Sequence, residues 1–232
     1  MTVRIALIGN PNVGKSVIFN NLVPGARQHI GNWPGKTIEK KSGKFTYKGE
    51  KYELIDLPGC YSLTARAMDE LVSRTYILEE RPDVVVNIVD ASNIERNLYL
   101  TLLLLELETN VVLVLNQMDV AKSKGYSISS DIISKRLNLP VVETIATKGV
   151  GMDDLKETIR KATTSPNCSS VTYSNDIESI ISKLVEVLKE DTKLVTNHPP
   201  RWLAIRLLEK DQEVSDMILA SELQSKISEV LA

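Results

Sequence analysis

Gly9-Asn10-Pro11-Asn12-Val13-Gly14-Lys15-Ser16 is the stretch that decides the fold. It follows the β-branched apolar run at residues 3–8 and opens directly into a helix-period segment at 17–22, the strand–loop–helix setting that the pattern G-x-x-x-x-G-K-[ST] requires. Such a loop turns its backbone N–H groups inward around a phosphate. The helix N-terminus adds positive partial charge and Lys15 a full one. Ser16 is then left to place its hydroxyl on Mg²⁺.

Outward from this loop the chain alternates β-branched runs with helix-period segments, the pattern of a mostly parallel sheet covered by helices. Strands are predicted at 3–8, 44–47, 52–56, 84–90, 111–116 and 140–144, with a hairpin turning at Lys48-Gly49-Glu50 that puts one antiparallel strand at the edge. Helices are predicted at 17–22, 70–78, 96–107, 128–137 and 152–162. The leucine-rich run at 102–105 reads as a helix buried on the sheet. The breakers Thr163-Thr164-Ser165-Pro166-Asn167 divide a first domain, 1–165, from a second, 166–232.

The second domain reads as short amphipathic helices. Asn175 with Glu178 forms a capping-box pattern ahead of Ile177, Ile180, Ile181, Leu184, Val185 and Leu188. Pro199-Pro200 suits a further helix start, with Trp202, Ile205 and Leu208 buried and Arg201 and Arg206 at its edge. Ser221 and Gln224 repeat the box before Leu223, Ile227 and Leu231.

The carboxyl ends of the strands carry the remaining chemistry, since open α/β sheets bind ligands there. Asp56-Leu57-Pro58-Gly59 ends one strand, so that Asp56 can hold Mg²⁺ through water and the Gly59 N–H can approach a terminal phosphate. Thr37 lies in a long, weakly anchored segment; its hydroxyl would complete the Mg²⁺ shell and its N–H would touch the γ-phosphate. Asn116-Gln117-Met118-Asp119 ends the strand at 111–116. A carboxylate there accepts both N1–H and the exocyclic amine of guanine, whereas adenine presents a bare ring nitrogen, so guanine is expected over adenine. Asn116 would tie this loop to the phosphate loop. In Ala146-Thr147-Lys148 the Ala146 N–H is placed to meet the guanine O6.

Composition bounds the reading. The 232 residues are 43% hydrophobic and 25% charged, with 28 basic against 30 acidic side chains and a net charge of −2. That is a globular chain with no electrostatic case for nucleic acid, and no apolar run approaches the roughly 20 residues of a membrane span. Cys60 and Cys168 lack a metal spacing and read as reduced cytosolic thiols, while His29 and His198 read as surface or helix-end residues.

With these motifs in order, positions 1–165 resemble the Ras-like, translation-factor-related GTPases. More narrowly, Gly9-Asn10-Pro11-Asn12, Asn32-Trp33-Pro34-Gly35, Asp56-Leu57-Pro58-Gly59-Cys60-Tyr61-Ser62-Leu63 and Pro199-Pro200-Arg201-Trp202 resemble the cytosolic part of ferrous iron transporter B. The resemblance implies a Ras-like P-loop GTPase domain on a mostly parallel six-stranded sheet with one antiparallel edge strand, followed by a small all-helical regulatory domain. It implies GTP and GDP as ligands with Mg²⁺ and K⁺, slow K⁺-stimulated hydrolysis, and regulation or gating of Fe²⁺ uptake. Implied partners are a membrane-spanning transport domain of the same protein, small cytosolic accessory proteins of ferrous transport and a second copy of the chain, at the cytoplasmic face of the cell membrane. Asn12 would coordinate K⁺ with carbonyls of residues 32–36, which brings Pro34, Gly35 and Lys36 into the site beside Thr37.

The chain departs from the wider GTPase pattern in three places. Gln117 stands for a lysine whose stem covers the base, and Ile145 for a serine that braces the base loop; both changes favour fast release. Cys60 stands for a water-orienting glutamine, and a thiol is a poor substitute. Asp69 and Glu70 are candidates to orient water by analogy, against their ordinary role as helix-dipole partners. An RNA-associated assembly GTPase is the competing reading, against which stand the balanced charge and the helical tail.

Overall fold

Residues 3–9 make a strand because each apolar side chain there finds cover on one face of a sheet or the other: Ile5, Ala6, Leu7 and Ile8 are all fully buried. In the computed structural model, residues 2–231 are described apart from 24, 26, 27, 35, 65, 66 and 167–169. Gly35, Asn167 at the end of the breaker run, and Cys168 therefore lie outside the described residues. The strands are β1 (Thr2–Gly9), β2 (Gln28–Asn32), β3 (Glu39–Tyr47), β4 (Glu50–Asp56), β5 (Val84–Asp90), β6 (Val111–Asn116) and β7 (Val141–Glu143), in the order β2-β3-β4-β1-β5-β6-β7. Pairing is parallel from β4 through β1, β5 and β6 to β7, and antiparallel where β3 joins β2 and β4.

The expected six strands are thus corrected to seven. β2 falls in the segment read as a loop. All of its residues but Gln28 are exposed, so no apolar alternation marks it; backbone pairing with β3 makes it a strand. That pairing also extends β3 back to Glu39 and replaces the single antiparallel edge strand by an antiparallel β2–β3–β4 run.

The helices α1 (Lys15–Leu22), α2 (Met68–Glu80), α3 (Ile94–Glu106), α4 (Met118–Ser123), α5 (Ser130–Leu137) and α6 (Met152–Thr164) connect the strands. Ile18, Phe19 and Leu22 of α1 and Leu155 and Ile159 of α6 pack with Ile5, Leu7, Val86, Ile88 and Val114 in one cluster, each large aliphatic contributing about 1.5–3 kcal/mol. α4 was not expected. It buries Ala121 alone and so has no apolar stripe to read.

The chain divides into two units, the first of residues 1–105 and 109–169 and the second of Glu106–Glu108 and Ser170–Ala232. The second holds α7 (Asn175–Leu188), α8 (Thr192–Asn197), α9 (Pro200–Leu208), α10 (Gln212–Leu219) and α11 (Gln224–Leu231), with Ile181, Leu184, Leu188, Trp202, Leu203, Val214 and Ile227 as its core. The expected cap is displaced: Ser174, not Asn175, precedes α7, and Glu178 accepts the Tyr173 N–H at 2.8 Å. Glu178 also takes both guanidinium nitrogens of Arg201 at 2.7 Å, and the Val171 carbonyl accepts from the same guanidinium. This fork pulls the Glu178 carboxyl down to about 2. Arg206 is corrected more sharply. It was expected at the helix edge and is 1% exposed, paired with the Glu106 carboxylate, which also accepts the Tyr173 hydroxyl, and with Glu209 at 2.8 Å. Leu208 is only half-buried.

Candidate functional site

The phosphate loop is held in shape by its neighbours before any ligand is considered. Gly14 has φ +88°, the left-handed region, and a Cβ added there would stand 2.3 Å from Asn116 Nδ2. The reason is that Asn116 Nδ2 reaches across 2.8 Å to the Val13 carbonyl. α1 follows with no side-chain cap and no acidic residue in its first turn, so its leading N–H groups are left for an outside acceptor. The Lys15 ammonium and the Asp56 carboxylate pair directly, with side chains 14% and 11% exposed. Burial raises the Asp56 carboxyl above its usual range, and Lys15 only partly offsets this.

Three oxygens suited to a hard cation share this end of the sheet: the buried Asp56 carboxylate and the exposed hydroxyls of Ser16 and Thr37. The donor set fits Mg²⁺. Thr37 itself makes no hydrogen bond to the phosphate loop among the described residues; its loop is closed by Trp33 N–H to the Ile38 carbonyl and Lys36 N–H to the Trp33 carbonyl, both 2.9 Å. Pro34 and Lys36 are exposed on the same loop. Asn12 is exposed at φ 66°, with its backbone carbonyl taken by Gln117 and its carboxamide uncommitted among the described residues. Such a carboxamide can serve a monovalent cation. Among the described residues no cluster of three or more His, Cys, Asp or Glu could hold a metal ion.

The turn after Asp56 lies on the loop. The Cys60 N–H donates to the Gly9 carbonyl at 3.2 Å, and Gly59 packs over Pro11 with room for a Cβ at 3.5 Å, so nothing in the protein itself forbids a side chain there. Leu57 and Cys60 are buried, and Pro58 lends its carbonyl to the Ser73 hydroxyl at 3.4 Å. The Cys60 thiol is pushed up to about 12 by burial and bonds toward Ser73. It is a protonated packing group. Glu70 accepts from the Thr64 hydroxyl at 3.3 Å at the start of α2, where Asp69 and Glu70 face the helix dipole.

At the other end, Asn116 does more than tie two loops. Its Oδ1 accepts from the Thr144 hydroxyl and from the Ala146 N–H, both at 3.0 Å. The Ala146 N–H, expected to meet a guanine O6, is thus held by Asn116 in this structure. The Ala146 carbonyl is in turn held by Asn21 Nδ2 of α1 at 2.8 Å. Thr144 and Asn21 were not singled out in the sequence; neither belongs to a motif, and Asn21 lies 125 positions from its partner. Gln117, at φ 62° before α4, bonds the Asn12 carbonyl at 3.1 Å. Asp119 Oδ1 accepts from the Val120 N–H at 3.1 Å and its Oδ2 from Lys148 Nζ at 2.8 Å, which lowers its carboxyl. Met118 N–H donates to the Thr144 carbonyl, and Thr147 completes a 3₁₀ turn with Ala146 and Lys148. Ile145, lacking the serine hydroxyl, is braced instead by backbone bonds in both directions with Val150.

Residues 3–159 match the family model described as ferrous iron transport protein B, and residues 173–232 match the FeoB cytosolic helical domain. The chain is 49% identical over 98% of its length to the Fe(2+) transporter FeoB of Methanocaldococcus jannaschii and 41% identical over 89% to that of Escherichia coli. It spans 34% and 27% of the length of these two curated relatives. The cytosolic domain of the T. maritima FeoB iron transporter superposes in its first GDP form with TM-score 0.85 at 40% identity, covering 94% of this chain and 84% of that one. Its GMPPNP form gives 0.83 at 39%, covering 98% and 86%.

Proposed function

The chain belongs to the ferrous iron transport protein B family, and from that premise we propose that it binds GTP with Mg²⁺ and hydrolyses it, so regulating or gating Fe²⁺ passage through a membrane domain of the full-length protein. The observation that carries this is the single carboxamide of Asn116, which clamps the phosphate loop through Val13 and the base loop through Ala146. One side chain thereby sets the distance between a triphosphate and a guanine. Family membership favours this reading over an RNA-serving GTPase. No described helix is long and apolar enough to cross a membrane; family membership is what assigns passage of the ion to a further domain of the full-length protein in this reading.

In this reading Gly9–Ser16 wrap the β- and γ-phosphates, Lys15 leaves Asp56 for the phosphates, and Asp56, Ser16 and Thr37 hold Mg²⁺. Held by these residues, Mg²⁺ would supply charge neutralisation for the phosphates. Thr37 and Gly59 present N–H groups to the γ-phosphate while water attacks its phosphorus, the bond to the β–γ bridging oxygen breaks, and GDP leaves. Cys60, buried and protonated, offers only a weakly hydrogen-bonding thiol where a water-orienting group would stand, which suits slow turnover. Asn12 would hold K⁺ beside the phosphates. Asp119 reads the base. The membrane domain, small cytosolic accessory proteins and a second copy of the chain are the partners we assign.

The test is phosphate release with Mg-GTP in K⁺ and in Na⁺, with calorimetry of GTP against ATP. The reading expects guanine-selective binding and faster release in K⁺ that Asn12→Ala abolishes. Equal affinity for ATP would overturn the site; equal rates in both cations would remove the role of Asn12.

A further inference from the structure

The two groups read as recognising guanine, the Asp119 carboxylate and the Ala146 N–H, already have partners within the protein. Asp119 Oδ2 is taken by Lys148 Nζ at 2.8 Å and Oδ1 by the Val120 N–H at 3.1 Å, while the Ala146 N–H is spent on Asn116 Oδ1 at 3.0 Å. Of these partners only Lys148 is a long, mobile side chain from another loop, with 62% of its surface exposed against 35% for Asp119. A guanine docking on Asp119 with N1–H and the exocyclic amine needs both oxygens in its own plane. The Lys148 ammonium occupies one of them.

We infer that Lys148 is an internal competitor for the guanine-reading carboxylate: its ammonium stands in for the base on Asp119, must be displaced for a guanine nucleotide to bind, and reclaims Asp119 as the nucleotide leaves. A lysine in this loop is then a determinant of release, and weakens the site, whereas one that merely covered the base would strengthen it. The inference rests on the reading of Asp119 as the guanine acceptor. It adds a third source of fast exchange to the substitutions at Gln117 and Ile145, one that acts through charge and so responds to its partner's charge. The pair is largely exposed and screened, so its effect on affinity is about two- to fivefold.

The experiment is a double-mutant cycle on the full chain, read as the dissociation constant and the release rate of a fluorescent guanine nucleotide by stopped flow. Lys148→Met keeps the aliphatic stem and removes the charge. It should tighten GDP about two- to fivefold and slow its release. Asp119→Asn presents an amide where the carboxylate stood, so the preference should move from GDP to XDP; in that background Lys148→Met should leave XDP affinity unchanged, since the ion pair is already gone. If Asp119→Asn fails to shift preference to XDP, the base-site reading itself falls. If the preference shifts but Lys148→Met weakens GDP binding or leaves it unchanged, or tightens binding equally in both backgrounds, Lys148 does not compete for Asp119 and the inference is overturned.

Discussion

The two ends of the nucleotide site are built on the same scheme, a cation paired with an anion, in opposite surroundings. Lys15 and Asp56 are nearly buried; Lys148 and Asp119 stand largely in solvent. The surroundings move the two carboxyls in opposite directions. Burial raises that of Asp56, whereas hydrogen bonding to Lys148 lowers that of Asp119. A buried pair is costly to break, and an exposed one is cheap to exchange. The phosphate end is therefore a mould whose one moving part, Lys15, yields only to a phosphate, and the base end an adjustable latch.

The hardest blow to the mould is Gly14→Ala. Its Cβ would strike Asn116 Nδ2 in a backbone region that alanine avoids, breaking the clamp at its centre. We expect loss of measurable Mg-GTP binding by calorimetry and about 3 kcal/mol of lost stability in urea unfolding. A variant that binds GTP normally would show that the loop is not preformed. Lys15→Met comes next: it removes the phosphate charge and leaves Asp56 buried alone, for roughly a hundredfold or greater loss of nucleotide affinity with a smaller fall in melting temperature. Asn116→Ala deletes bonds to Val13, Thr144 and Ala146 together and should cost about 2–3 kcal/mol in the same unfolding assay while weakening GDP and GTP alike.

Acid separates the two ends without mutation. As pH falls from neutrality Asp56 takes its proton first, because its folded-state affinity for it is raised, and Asp119 last. Titration of nucleotide binding should therefore lose its Mg²⁺ dependence before its preference for guanine over adenine. The reverse order would contradict the contrast between mould and latch. For stability the sign follows likewise: the folded chain holds the Asp56 proton more tightly than the unfolded chain, so this group favours folding at low pH and that contribution is lost as pH rises through its folded value. The smallest effect belongs to Gln117→Ala, which removes one exposed bond to the Asn12 carbonyl and should speed GDP release about two- to fivefold in stopped flow.

The legible parts of the molecule are those in which local sequence and burial agree. Residues 9–16, 56–59 and 116–119 announce themselves because the loop chemistry sits at the end of an apolar strand whose side chains the core claims. β2 stayed hidden because its stability comes from backbone pairing at an edge where side chains meet water, and α4 because one buried alanine makes no pattern. Arg206 was misplaced for a different reason: a charge reads as solvated until its partner is known, and Glu106 lies 100 residues earlier. The bond from the Ala146 N–H to Asn116, 30 positions away, is equally silent in the sequence. Distant polar partners leave no mark in periodicity.

The chain's two tryptophans fall one in each unit. Trp33, 7% exposed, packs edge-on against Tyr76 with Lys40 over its ring, four positions before Thr37; Trp202 stacks on His198 at 5.9 Å. Native fluorescence thus has two sources in different surroundings, one indole anchoring the Thr37 loop and the other stacked on an imidazole. Replacing either indole by phenylalanine would leave an unlabelled optical gauge of the remaining unit alone.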